Sequence, residues 1–541
     1  MSEKDEKRRS RLAIIGCGSS GLISLKNAID YLPDWHIECF EKSSDITGCW
    51  GNPYPGFIST STKYTTQFAC MPIFDLEVNT DGGKSYSEFF REGEYGEYLQ
   101  DFANKFNLWP HIRLKIEVTK IKRQDSGSGW ILTIVDVSNG EKITRIEEFD
   151  QVIIATGLAA SPKPIKSQVS TLSIKTLNSP NGIEQINNKK IVVIGGGESA
   201  VDFAERLSRP NLQNEVYLSL NSGIRVSPRY HPIRGVPSDF LRNRLMLSIH
   251  PNLRNKIGHY FVRARIRYQE AFEKIFPKCG AKETFKANEV KAFVNRRKYW
   301  ADKLTQTAKD DLFRMFHNKS DTFLDAVADE RIKIIGNSLN EDYAVFKKYD
   351  SDETESLEPD FIVPAIGYRS LLNEISDGSV NLKEFFLGCT HIRYPDLHLV
   401  GFARPIIGNI PSISEVQAEF ICKVIAGKVN LPENVIEVHK ENNFVREDRY
   451  GQLNHESVYP VEMIPYCDFL SNMGGSLPRF SFKSIKSWVR NQLSPATTLY
   501  YAPLKLPKDK IYMPVILIFF LLILLPLNLL YQIRMNDKCN F

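Results

Sequence analysis

Two stretches of this chain repeat one grammar, and that repetition constrains the fold more than any other feature: an apolar run, small residues at fixed spacing, an amphipathic segment and a second apolar run. The first copy reads Leu12 to Ile15, Gly16-x-Gly18-x-x-Gly21, then His36 to Phe40 ending at Glu41. The second reads Ile191 to Ile194, Gly195-x-Gly197-x-x-Ala200, then Glu215 to Leu220. Strand, glycine turn, helix and strand in that order are the parts of a dinucleotide-binding βαβ unit. The first small residue permits a tight turn and the second lets a pyrophosphate approach the backbone. The third lets the helix lie close to the sheet, for which Ala200 serves as well as a glycine. The helix starts, Ser19-Ser20 and Glu198-Ser199, offer unpaired N–H groups to phosphates.

The two strand ends differ in charge. Glu41 can accept hydrogen bonds from a ribose 2′-OH and would repel a 2′-phosphate, so the first copy suits FAD or NAD. The second strand ends in Asn221 and Ser222, with Arg225 and Arg229 shortly after, which suits NADP. Two such sites in one chain have a chemical meaning: one holds a flavin, and the other delivers hydride to it from a nicotinamide. Phe149 to Gly157, with Thr156 in the turn, and Asp360 to Tyr368 repeat a strand-into-small-turn pattern and mark where the chain crosses between nucleotide domains. Asp396 to Gly401 and a helical segment from about Ile413 to Gly427 read as a return to the first domain.

The expected architecture is therefore α/β, with two Rossmann-like domains, the second inserted in the first. The FAD domain spans 1–165 and 341–435, and the NAD(P) domain spans 166–340 with a helical insertion at 240–330. Residues 436–510 form a C-terminal subdomain or linker. At 541 residues the chain is too long for one ordinary core, in agreement with that division. A formal charge of +5 gives no reason to expect a nucleic-acid partner. Nine scattered cysteines without a CxxC pair argue against a disulfide scaffold, a dithiol reductase and a zinc site, so no metal is expected.

Composition averages hide the run Ile511 to Tyr531, which has no charge. As a helix it would be about 30 Å long, the thickness of a bilayer core. It is expected to be a single-pass C-terminal anchor, and the lysines before it favour a catalytic body on the cytosolic side, on the endoplasmic reticulum in a eukaryote. The N-terminus lacks the apolar stretch of a secretory signal. The Arg-rich helical pattern around Arg263 and Arg267 reads as a solvated face before a lipid-binding one. The isolated His231, His391 and His398 read as packing residues.

Several stretches resemble the class B flavin-dependent monooxygenases, and within them the flavin-containing monooxygenases that oxygenate nitrogen and sulfur. Glu41-Lys42 through Gly48-Cys49-Trp50 is similar to the family's segment around FAD, and Pro55-Gly56 through Thr62-Lys63 to its flavin-facing loop. Gly129-Trp130, the stretch ending at Asp239, and 396–408 with 415–427 match later segments. The resemblance implies that NADPH reduces FAD, that O2 adds at the flavin C4a to give a hydroperoxide, and that this oxygenates a small soft nucleophile. It implies cofactor contacts at Lys42, Gly48, Cys49, Trp50, Thr62, Val118 and Gln417, beside the glycine-motif residues. Where the family usually has Thr-Asn beside the flavin, this chain has Thr62-Lys63, so these two are the candidate catalytic residues, with Lys63 as hydrogen-bond donor. Three alternatives stand beside this reading: Baeyer–Villiger oxygenation of a ketone, an NAD(P)H oxidase that releases hydrogen peroxide, and a silent flavin-binding membrane scaffold. A homo-oligomer is compatible with all of them.

Overall fold

The computed structural model describes residues 8–51, 53–73, 85–138, 142–276, 278–281, 290–308, 317–451, 458–478, 485–502, 511, 523 and 525–530. Both nucleotide units form as sheets with parallel centres. In the first, Arg11–Ile15 lies between His36–Glu41 and Gln151–Ile154, parallel to each. Ile112–Leu114 extends one side, and Leu397–Leu399, Thr390–His391 and Phe385–Phe386 extend the other, making seven strands. Leu12, Ala13 and Ile14 are all fully buried. That explains why this strand reads as an unbroken apolar run: both faces of this parallel sheet are covered, the antiparallel sheet 116–149 sharing its core.

The second sheet has six strands, centred on Lys190–Ile194 between Glu215–Ser219 and Phe361–Pro364. Ile332–Ser338 pairs outside Glu215–Ser219, and the hairpin Val345–Lys348 and Thr354–Ser356 closes that edge antiparallel. These last strands move one boundary. The chain stays in the second unit until Pro364, rather than leaving it at 340, and rejoins the first sheet from Phe385–Phe386 onward, with Leu397–Leu399 pairing against Gln151–Ile154. A separate antiparallel sheet, Ile116–Arg123, Trp130–Asp136 and Ile143–Phe149, precedes the crossing.

The helical insertion includes Pro251–Arg267, Gln269–Ile275 and Lys291–Gln306. Its arginines are partly used internally: Arg263 and Arg267 converge on Asp302 at 2.8 and 2.6 Å. After the closing helix Ile410–Ile425, the C-terminal part does not stand apart as a linker. Tyr459–Val461 pairs in parallel with Ala403–Pro405, and the helix Met463–Met473 contributes Met463, Tyr466, Cys467 and Leu470 to the first core. The expected anchor lies largely outside the described residues. Within it, Asn528 is buried and its amide donates to the Ser248 hydroxyl. Among the described residues no helix is long and apolar enough to cross a membrane.

Candidate functional site

The two glycine turns are built to the same plan. Gly16 has φ of 95°, and a Cβ there would lie 2.8 Å from the carbonyl oxygen of Ala155. Gly195 has φ of 127°, and its Cβ would lie 2.3 Å from that of Ala365. Only glycine fits where a left-handed turn passes this close to a neighbouring strand end. In the first unit, a Cβ on Gly21 would come within 1.9 Å of Gly16 O, so the helix Ser19–Tyr31 can pack only without one.

The first turn fits a dinucleotide. Gly18 and Gly48 face each other, with a Cβ on Gly48 only 3.1 Å from Gly18 Cα, which leaves backbone rather than side chains along the helix start. No side chain caps that start, so its first-turn donors point outward. Glu41 is held beside the turn, accepting the Cys17 N–H at 2.8 Å and the Ser43 N–H at 2.9 Å. Thr156 Oγ1 is buried next to the turn without a hydrogen-bond partner, as expected of a group that a ligand would satisfy.

The second turn fits too. The helix Glu198–Leu207 also starts without a side-chain cap, Gly197 faces open space, and Ala200 is fully buried in the helix–sheet contact. The Asn318 amide donates to Gly196 O at 2.8 Å and pins the loop. Ser199 Oγ lies 3.3 Å from the Tyr368 hydroxyl. Glu198 accepts the Lys319 N–H at 3.1 and 3.2 Å, and burial pushes its carboxyl up to about 7. We expect the apparent KM for NADPH to rise roughly fivefold between pH 6 and 8 as this carboxyl ionises near a phosphate-binding turn, and Glu198→Gln to flatten that profile in steady-state assays. A profile unchanged by the substitution would sink this expectation. The same shift favours folding below the unfolded carboxyl's pKa of about 4.3, an advantage lost as pH rises through about 7.

Between the units lies a cleft of about 220 Å³. The first unit supplies Trp50, Ser59, Thr60, Ser61 and Thr66 to its walls, and the return segment supplies Arg404 to Ile406 and Gly408 to Pro411. The second unit and its insertion supply Glu198, Arg242, His317 and Lys319. Two polar knots hold these walls. Asn409 Nδ2 and Ser412 Oγ, at the start of the closing helix, both donate to Thr65 O at 2.6 Å. Asp239 accepts the Thr62 N–H at 2.8 Å, the Thr65 hydroxyl at 3.2 Å and the Lys319 ammonium at 2.5 Å. Burial opposes the charge on Asp239, but neighbouring Lys319 and Arg242 outweigh it and hold the carboxyl below its ordinary range.

Several expected residues have other occupations. Lys63, expected as a donor at the flavin, is not among the residues lining the cleft, and its Nζ donates to Tyr86 O at 2.7 Å. The Thr62 side chain is fully buried, 3.1 Å from Thr65 Oγ1. Arg229, expected near the NADP phosphate, donates to Ser59 O and Ile58 O at 2.9 and 2.6 Å and pairs with Asp321 at 3.1 Å. Gln417 is fully buried, accepting the Gly401 N–H at 3.1 Å and donating to the Tyr466 hydroxyl at 2.9 Å, so its amide is committed to the core. Val118 packs in the antiparallel sheet opposite Ile134. Ser20 Oγ meets Ser414 Oγ at 2.9 Å and faces the closing helix, and Ser19 is half-buried. Lys42 and Cys49 are exposed. Arg225 is buried, and its carbonyl accepts the Asn318 N–H at 3.0 Å beside the second turn. His398 is fully buried between Thr390 and Gln151, where burial lowers its pKa to about 3.

Sequence reading did not single out Arg242, Lys319 and Arg404 as wall residues. They come from three separate segments, and no local motif joins them.

Residues 9–291, just over half of the chain, match the flavin-binding monooxygenase-like (FMO-like) family. A rat dimethylaniline monooxygenase [N-oxide-forming] 2 is 26% identical over 519 residues, covering 91% of this chain and 88% of the relative. Among solved structures, a closed form of cyclohexanone monooxygenase superposes with a TM-score of 0.58 at 16% identity, covering 86% of this chain and 98% of that one. The S-allyl-L-cysteine S-oxygenase of Allium sativum gives 0.53 at 15% identity, with 89% and 92% covered. At such identities the structural likeness speaks for the fold, and the family match carries the assignment. With an uncapped glycine turn in each nucleotide unit, the chain belongs to the flavin-binding monooxygenase-like family, NADPH-dependent enzymes that work with FAD.

Proposed function

We propose that the chain oxygenates a nucleophilic sulfur or nitrogen of a small organic substrate in the cleft between its nucleotide units. For a thioether the balance is R2S + O2 + NADPH + H+ → R2SO + NADP+ + H2O. The observation that carries the reading is convergence: the first unit's Trp50 and Ser59 to Ser61, the start of the closing helix and Glu198 of the second turn line one space. Bound FAD would supply the redox and oxygen chemistry. The chain's own residues bind, orient and exclude water. The helix starts after Gly18 and Gly197 would hold the two pyrophosphates, with Glu41 at the first ribose. Pro405, Ile406, Ile410 and Pro411 form an apolar wall that keeps bulk water from the reacting atoms. Asp239 ties the Thr62 backbone to Lys319 and so fixes the two units across the cleft.

The test is anaerobic reduction by NADPH, then admission of oxygen with a thioether, an amine or a ketone present. An S- or N-oxide is expected. An ester or lactone from the ketone would transfer the chain to the Baeyer–Villiger reading, and stoichiometric hydrogen peroxide with every substrate would overturn oxygenation. We also infer that the apolar run from Ile511 to Tyr531 attaches the enzyme to a membrane, with the body on the cytosolic side, as on the endoplasmic reticulum. Removing residues 511–541 should then move the protein from the membrane pellet to the supernatant. An unchanged distribution would refute the inference.

A further inference from the structure

The walls of the cleft gather positive charge. Three cations line it, Arg242, Lys319 and Arg404, against one lining carboxyl, Glu198. Behind the wall, Asp239 serves two of the three: Lys319 at 2.5 Å, and Arg242 at 3.9 Å, beyond hydrogen-bonding distance. Glu198 is occupied by the Lys319 backbone and loses part of its charge near neutral pH, because burial lifts its carboxyl to about 7. More cations stand behind Arg242. Arg225 is buried, and after burial itself the nearby Arg265 and Arg242 are what depress its protonation. Like charges crowded this way are stabilised when an anion completes the group.

We propose that this anion is the acid group of the substrate: the cleft selects small nucleophiles bearing a carboxylate or sulfonate, held by Arg242 with Lys319 and Arg404 beside it. The proposal rests on the reading that the oxygenated substrate sits in this cleft. A guanidinium offers two parallel donors matched to a carboxylate, and it stays charged at every working pH. A phosphate of the nicotinamide nucleotide shares this chemistry. The uncapped helix start after Gly197 already supplies donors for phosphate, however, whereas Arg242 and Arg404 share the cleft with Trp50 and Ile406.

The experiment compares methylthiopropanoate, methylthiopropanol and methylthiopropylamine, which differ only in the terminal group, on the FAD-loaded enzyme with NADPH. Sulfoxide formation should show kcat/KM about tenfold or more higher for the acid than for the amine. Arg242→Gln should cut the acid-over-alcohol ratio about tenfold, mainly through KM, and Arg242→Lys should restore part of it. Equal rates for the three, or preference for the amine, would overturn the proposal. So would an Arg242→Gln enzyme that keeps the acid preference while its KM for NADPH rises, which would assign the cations to nucleotide phosphate. Calorimetric titration of the holoenzyme with each thioether in NADP+ separates this proposal from the functional reading beneath it. Tightest binding of the acid with no sulfoxide formed would support the anion site and defeat oxygenation, while binding of none, or of all three alike, would defeat the anion site itself.

Discussion

Gly18→Asp should purify folded but colourless. A Cβ at Gly18 would lie 3.5 Å from Gly48 Cα, ordinary contact distance, so the substitution strains nothing in the protein alone. Its carboxylate would nevertheless stand at the helix start where a pyrophosphate must approach the backbone, adding like charge as well as bulk. Loss of FAD retention is therefore expected together with an apoprotein unfolding midpoint close to that of the parent apoprotein. Gly18→Ala separates the two effects, since it adds the Cβ without the charge and should retain a measurable part of the flavin. Gly21→Ala is the contrasting case: its Cβ would fall 1.9 Å from Gly16 O, and the fold should suffer along with binding. Flavin absorbance per protein after gel filtration, read beside thermal unfolding, checks all three. Full flavin in Gly18→Asp would refute the assignment of the first turn.

The contrast between these glycines shows what was legible in the sequence. Gly16, Gly18 and Gly21 act within one turn, so their spacing alone carries the geometry, and Gly195, Gly197 and Ala200 repeat it. The partners of these turns were readable as well. Ala155 and Ala365 end strands whose small-residue turns recur in the sequence, and each closes against its glycine. The cleft was not readable. Arg242, Lys319 and Arg404 are neighbours only because distant segments fold around one cleft, and long-range contact leaves no mark on local spacing. Lys63 shows the converse. Its place in a family-like loop suggests a donor at the flavin, and its ammonium also meets a backbone carbonyl, that of Tyr86, which no local spacing announces. Arg229 likewise looked like a phosphate ligand from its distance after a strand, and it is occupied by the carbonyls of Ile58 and Ser59 across the interface.

The same dependence on distant contacts makes the C-terminal part sensitive to one ion pair. Arg244 and Asp468 are both almost completely buried, 2% and 0% exposed in their side chains, with Arg244 Nη2 reaching both carboxylate oxygens at 2.5 Å. Burial works against the arginine's charge, and Asp468, Tyr500 and Tyr501 more than offset it. The Tyr501 hydroxyl donates to Asp468 at 2.8 Å, and the guanidinium lies 3.7 Å from the Tyr500 ring centre. The knot joins the insertion to the helix Met463–Met473 and to the segment after it. Asp468→Ala leaves a guanidinium buried without its counter-charge, and about 3–5 kcal/mol of stability should be lost. Arg244→Met combined with Asp468→Leu removes both charges and keeps most of the volume, so it should recover most of that loss. Urea unfolding of the FAD-loaded forms measures the difference. If Asp468→Ala proved no less stable than the double variant, the pair would not hold the charge that the geometry assigns to it. The consequence reaches the cleft, because Arg242 is two residues from Arg244 and its placement depends on the same anchored turn. Asp468→Ala should therefore weaken substrate binding even at temperatures where the protein stays folded, with KM rising before kcat falls.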